Sequence, residues 1–144
     1  MKNYIFSLVI FTVFLSLNLE ARNDKLFFHI DGALTQHVAL IDPYIKLYFA
    51  TQPPDNVIKK NFGEYKSNKT TNARFKPPSQ SCDWVFISSV KDLQAQAVKL
   101  GGDAVVNIHS YFNEEMFSES LYECHDGKNV SRVYLRGTVV KLEG

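Results

Sequence analysis

The chain is poor in the features that usually announce a chemistry. It has two cysteines in 144 residues, no phosphate-cradling glycine loop, no run of histidine and cysteine at metal-ligand spacing, and no excess of either charge, with 16 Lys and Arg against 15 Asp and Glu. The balanced charge gives no electrostatic footprint for nucleic acid. Missing nucleotide, metal and nucleophile motifs leave no cofactor to expect and no reaction to assign. The cysteine count excludes a disulfide-dense scaffold and leaves room for one bridge. Length excludes a second domain: setting aside the first 21 residues leaves 123, enough for one modest hydrophobic core.

One long hydrophobic run is present, and only one. Lys2 precedes an uncharged, mostly apolar stretch over residues 4 to 19, followed by Glu20, Ala21 and then the polar Arg22, Asn23 and Asp24. A basic start, an apolar middle and a small residue at the boundary read as a secretory signal peptide over residues 1 to 21, with cleavage after Ala21. Leu19 and Glu20 depart from the small residues usual before a cleavage point, which leaves an uncleaved anchor as the alternative. No cysteine lies in or just after the run, so the site for lipid attachment is missing. The expected location is periplasmic or secreted, with no stable membrane insertion after cleavage.

In an oxidising compartment Cys82 and Cys124 are expected to pair. Closing the 42-residue separation would stabilise the fold by about 4 kcal/mol through lost chain entropy. The alternative is a thiolate metal site made by Cys82, Cys124 and His125, with His109 as a fourth ligand, although the spacing matches no zinc pattern.

Periodicity predicts an α+β domain over residues 22 to 144. Residues 25 to 30 read as a short strand and 31 to 40 as a helix capped by Asp31 and stopped by Asp42 and Pro43. Residues 44 to 50 alternate as a half-buried strand. The polar, basic stretch from 52 to 80, carrying Lys59, Lys60, Lys66, Lys69, Arg74 and Lys76, reads as a long loop with at most one short strand. The clearest element is a helix from about Cys82 to Leu100. Its residues Phe86, Val90, Leu93, Ala97 and Leu100 step by four, three, four and three, with Ser81 as cap, Trp84 and Ile87 widening the buried face, and Gly101-Gly102 as the stop. Strands are expected at 103 to 112, with Ala104, Val106 and Ile108 toward the helix, at 121 to 124, and at 130 to 142, with a hairpin turn at 125 to 128. A mostly antiparallel sheet with one long helix on one face satisfies these apolar faces.

Alternation then puts Tyr48, His109, Tyr111, Arg132, Tyr134 and Arg136 on the sheet face turned away from the helix, together with Tyr44, Lys46 and Asn107. An uncovered aromatic and basic face suits a binding surface for an envelope protein or an anionic glycan. The alternatives are a purely structural face, covered by the N-terminal helix or the basic loop, and an oligomer interface covered by a second subunit. Catalysis ranks below these. His109, His125, Glu114 and Glu115 are scattered, and joined cysteines are not nucleophiles.

The segments NFGE at 61 to 64, LGGDAVVNI at 100 to 108, YECH at 122 to 125 and GTVVKL at 137 to 142 resemble a family of small exported bacterial proteins often labelled "excinuclease ATPase subunit". More distantly, the helix, the LGGDAVV segment and the cysteine-bearing strand are similar to the envelope-stress sensor lipoprotein of the Rcs pathway and to YbjQ-like domains. The resemblance implies an exported, disulfide-bonded signalling or partner-binding module. The label's chemistry does not carry over, because the chain has neither a GxxxxGK[ST] loop nor zinc-binding cysteine sets. The sensor's lipid anchor and additional cysteines are also missing here.

Overall fold

The computed structural model describes residues 22 to 144. The segment expected to be a signal peptide, residues 1 to 21, lies outside the described residues. In chain order the elements are β1 (Asn23–His29), α1 (Ile30–Gln36), a single 3-10 turn (Val38–Leu40), β2 (Lys46–Phe49), β3 (Ile58–Asn72), α2 (Pro78–Leu100), β4 (Ala104–Ser110), β5 (Leu121–Gly127) and β6 (Val130–Leu142).

β6 organises the six-stranded sheet. Along one edge it pairs antiparallel with β3 over its whole length, from Val130 opposite Asn72 to Leu142 opposite Ile58. Its other edge is shared: β5 pairs with Ser131 and Arg132, and β4 pairs from Leu135 to Val140. β1 lies outside β5, and β2 runs parallel to β4 as the only parallel neighbour among the described residues. The sheet curls around α2, so the fold class is α+β as periodicity predicts.

α2 buries Cys82, Val85, Phe86, Val90, Leu93 and Ala97 against Val133, Leu135 and Val139 of β6. It begins at Pro78, earlier than Ser81 suggests, because proline at the first helical positions lacks only an N–H that has no partner there. Ser81 is therefore not the cap. It is buried, 2.8 Å from the Ser131 hydroxyl of β6. Gly101 ends the helix in the left-handed conformation, φ 80°, and the Gly102 N–H returns to the Ala97 carbonyl at 2.8 Å. Ile87 is buried as expected, whereas Trp84 is 50 % exposed. The expected first helix is shorter, with Asp31 inside its first turn and His29 at the cap.

Cys82 of α2 and Cys124 of β5 are joined in a disulfide with Cα atoms 5.9 Å apart, both sulfurs fully buried. The bridge ties the helix start to the sheet, and its sulfurs are no longer available as the thiolate ligands of the alternative metal site.

Three expectations need correction. The basic stretch at 52 to 80 is not a loop: its central 15 residues form β3, longer than every other strand among the described residues. Polar residues suit this position because β3 pairs on one side only and is half-buried. Tyr65 and Phe62 pack on the core, and Lys69 lays its stem toward α2, its ammonium 3.8 Å from Asp92. Second, β4 does not alternate evenly. Val106 faces Thr138 and His109 faces Arg136, so Asn107 and Ile108 together oppose Gly137 in a bulge. Asn107 takes φ 54° there. Val105 and Ile108 consequently point to α2, while Ala104 and Val106 join Tyr48, Val140 and Leu142 in a second cluster. Third, His125 is not in a turn. β5 continues through Gly127, and His125 and Asp126 are buried strand residues.

Candidate functional site

The face predicted to bind is the one turned away from α2, and the segment at 111 to 120 lies across much of it. His109 is only 3 % exposed. Its Nδ1 is 2.7 Å from the Asn107 carbonyl and its Nε2 is 3.3 Å from Glu115 Oε1, while the Phe117 ring stacks on it with centroids 4.1 Å apart. The bulge at Asn107 gives this geometry, since it keeps His109 on the outer face after Ile108 has turned inward. With both nitrogens engaged and a phenyl ring overhead, His109 is closed to a substrate.

Arg136 follows the same pattern. Its Nη1 donates to Glu115 at 2.5 Å and its Nε lies 3.3 Å from Glu64 of β3, so one cation meets two carboxylates. The hydrogen bond from His109, aided by the hydrogen bond and charge of Arg136, holds the Glu115 carboxyl below the usual carboxylate range. The Arg136 guanidinium also lies over the Tyr111 ring at 4.7 Å, and Lys66 approaches that ring at 5.6 Å. The Tyr111 hydroxyl donates to Asn68 of β3. Partial burial pushes the Tyr111 phenol up.

Beside this cluster, Phe112 stacks on Tyr134 at 4.6 Å and on His125 at 3.5 Å. Under Phe112 the His125 Nε2 lies 3.0 Å from the buried Glu123, whose other carboxylate oxygen meets the exposed Lys25 ammonium at 3.3 Å. Tyr48 lies apart from His109, near the sheet edge, where its hydroxyl donates to Asp55 at 3.1 Å. Arg132 is half-buried and has no ion pair among the described residues.

Tyr111, Tyr134, Arg136 and His109 are therefore brought together as expected, Tyr48 is not, and the face is neither open nor strongly cationic. Sequence reasoning leaves Glu64, Lys66 and Asn68 out of the site, because the composition of their strand reads as a loop. It also leaves out Phe112 and Phe117, and it takes Glu115 for a scattered surface residue. The available signal was two phenylalanines flanking an acidic pair: a fully solvated loop has no use for both rings. Among the described residues no group of three or more His, Cys, Asp or Glu side chains gathers as a metal site, and no helix is long and apolar enough to cross a membrane.

Three strand edges remain unpaired among the described residues, the short ones of β1 and β2 and the long far edge of β3. No other strand pairs there among the described residues, so a row of backbone donors and acceptors faces outward beside Lys59, Lys60 and Lys66. Comparison with protein-family models, curated proteins and solved structures found no match to this chain.

Proposed function

We propose that the protein is an exported, disulfide-stapled binding domain that takes an extended, acidic protein segment along the free edge of β3. The observation that carries this reading is the length of that edge: 15 residues paired only to β6. Folded proteins commonly keep edge strands short or cover them, because open N–H and C=O groups recruit other strands. Strand addition uses such an edge for affinity and the flanking side chains for choice of partner. Lys59, Lys60 and Lys66 against Glu64 favour an acidic partner.

The buried disulfide and the apolar run before the domain support export to the periplasm or medium, and the resemblance to small exported proteins points the same way. The outer face serves this function as a rigid backing rather than as the glycan site first expected, since Glu64 and Glu115 already balance Arg136. Catalysis has no support in a site whose two central histidines are capped by Phe117 and Phe112.

A photo-reactive residue placed at Lys66 or Thr70 in the producing cell is expected to trap one partner in high yield, and the same residue at Ala95 on α2 to trap none. Equal yields at the two places, or a product that is the dimer of this chain, would overturn the reading.

A further inference from the structure

β3 passes into α2 through a turn whose Ala73 N–H donates to the Asn129 carbonyl, at 2.9 Å, in the turn between β5 and β6. At the tip of this turn Phe75 is 96 % exposed and holds φ 60°. A bulky residue in the left-handed region is sterically disfavoured, and a fully exposed phenyl ring gains nothing from water. Two unfavourable choices at one residue have no return inside the domain, where only the Arg74 guanidinium, 5.4 Å away, approaches the ring. Backbone strain of this kind points outward, to something the folded chain meets.

The charges around Phe75 describe that partner. Arg74 and Lys76 flank it, and Lys128 stands across a shallow cleft that Arg74 also lines. Lys76 donates to the Asn72 carbonyl at 3.1 Å, which steadies the turn, and none of the three cations has a carboxylate partner among the described residues. Half-exposed Trp84 lines the neighbouring cavity with Lys76. The chain enters the domain at this same end: the Arg22 carbonyl lies 2.9 Å from where a Cβ on Gly127 would stand, one residue from Lys128. In sequence, Arg22 follows directly on the segment that contains the apolar run at 4 to 19.

We propose that the Arg74-Phe75-Lys76 turn, with Lys128 beside it, docks reversibly on an anionic lipid bilayer. Phe75 enters the boundary between headgroups and acyl chains, and the three cations contact lipid phosphates. An apolar tip ringed by basic residues is the chemistry of interfacial attachment. One ring and three charges give weak binding that depends on lipid charge, which differs from insertion. This contact takes the turn after β3 and the cleft at its last residues, Thr70 to Asn72, and lies apart from Lys59, Lys60 and Lys66 nearer the start of the strand.

The test uses the full chain as its cells produce it, with vesicles of phosphatidylcholine alone or mixed equally with phosphatidylglycerol. The ratio of affinities for anionic and neutral vesicles cancels any contribution of an apolar N-terminal segment. Replacing Arg74, Lys76 and Lys128 together by Gln is expected to lower that ratio about 100-fold, at roughly fivefold per cation, while Lys91→Gln with Lys99→Gln changes it less than about threefold. Phe75→Gly relieves the φ 60° strain, so it is expected to raise the unfolding midpoint while weakening anionic binding roughly tenfold. A ratio near one for the wild type, or equal losses from the two charge-removing variants, would overturn the proposal. So would a Phe75→Gly chain that binds as well as the wild type.

Discussion

Gly137 lies where β6 runs beneath α2, and a Cβ there would stand 2.7 Å from Val105 Cγ1, 3.2 Å from Ile108 Cγ1 and 3.6 Å from Leu93 Cδ1. The missing side chain is the space into which the β4 bulge sends Ile108. Asn107 supports the same feature, since asparagine tolerates the left-handed conformation better than most residues with a Cβ. Gly137→Ala is therefore expected to destabilise the domain by about 1–3 kcal/mol through overpacking, read as a lower midpoint in urea with an unchanged slope. A neutral result would mean that the bulge shifts to make room. The bulge also explains why alternation misplaced Ala104 and Val106: strict period-two reading of a strand fails by one residue beyond an insertion, and nothing in a run of small apolar residues marks where the insertion sits.

Among the elements, α2 was the most legible, because a burial stripe stepping by three and four and a glycine pair at its end are local signals. β6 was nearly as legible through Val133, Leu135, Gly137 and Val139, all on the helix side. β3 was opaque for a physical reason. Its stability comes from hydrogen bonds to β6 and from the few side chains that touch α2, so its Lys, Asn and Thr residues carry the composition of a loop. The disulfide joins α2 to β5, and its removal tests how far they depend on each other. Cys82→Ser with Cys124→Ser is expected to cost up to about 4 kcal/mol, the upper bound from closing a 42-residue separation. Denaturant titration of the two proteins measures it. A double variant as stable as the wild type would show that α2 stays docked through packing alone, including the Phe86–Tyr122 stack at 4.1 Å.

At the scale of the molecule, one face of the curled sheet is filled by α2, the other is largely capped by the 111 to 120 segment, and β3 presents the longest unpaired strand edge among the described residues, β1 and β2 leaving shorter ones. The candidate site was half legible for this reason: Tyr111, Tyr134 and Arg136 were correctly placed together, but which surface stays open depends on contacts between residues distant in the chain, Glu115 with Arg136 and Phe112 with His125. Per-residue hydrogen exchange across Ile58–Asn72 examines that edge most directly, first in the isolated protein and then with the partner trapped through position 66. An antiparallel edge strand directs alternate amides outward, so about half of the β3 amides are expected to exchange fast in the isolated protein and to slow at least about tenfold in the complex. Uniform protection of β3 in the isolated protein, or protection in the complex that falls on α2 or β1 and leaves β3 unchanged, would contradict binding along this edge.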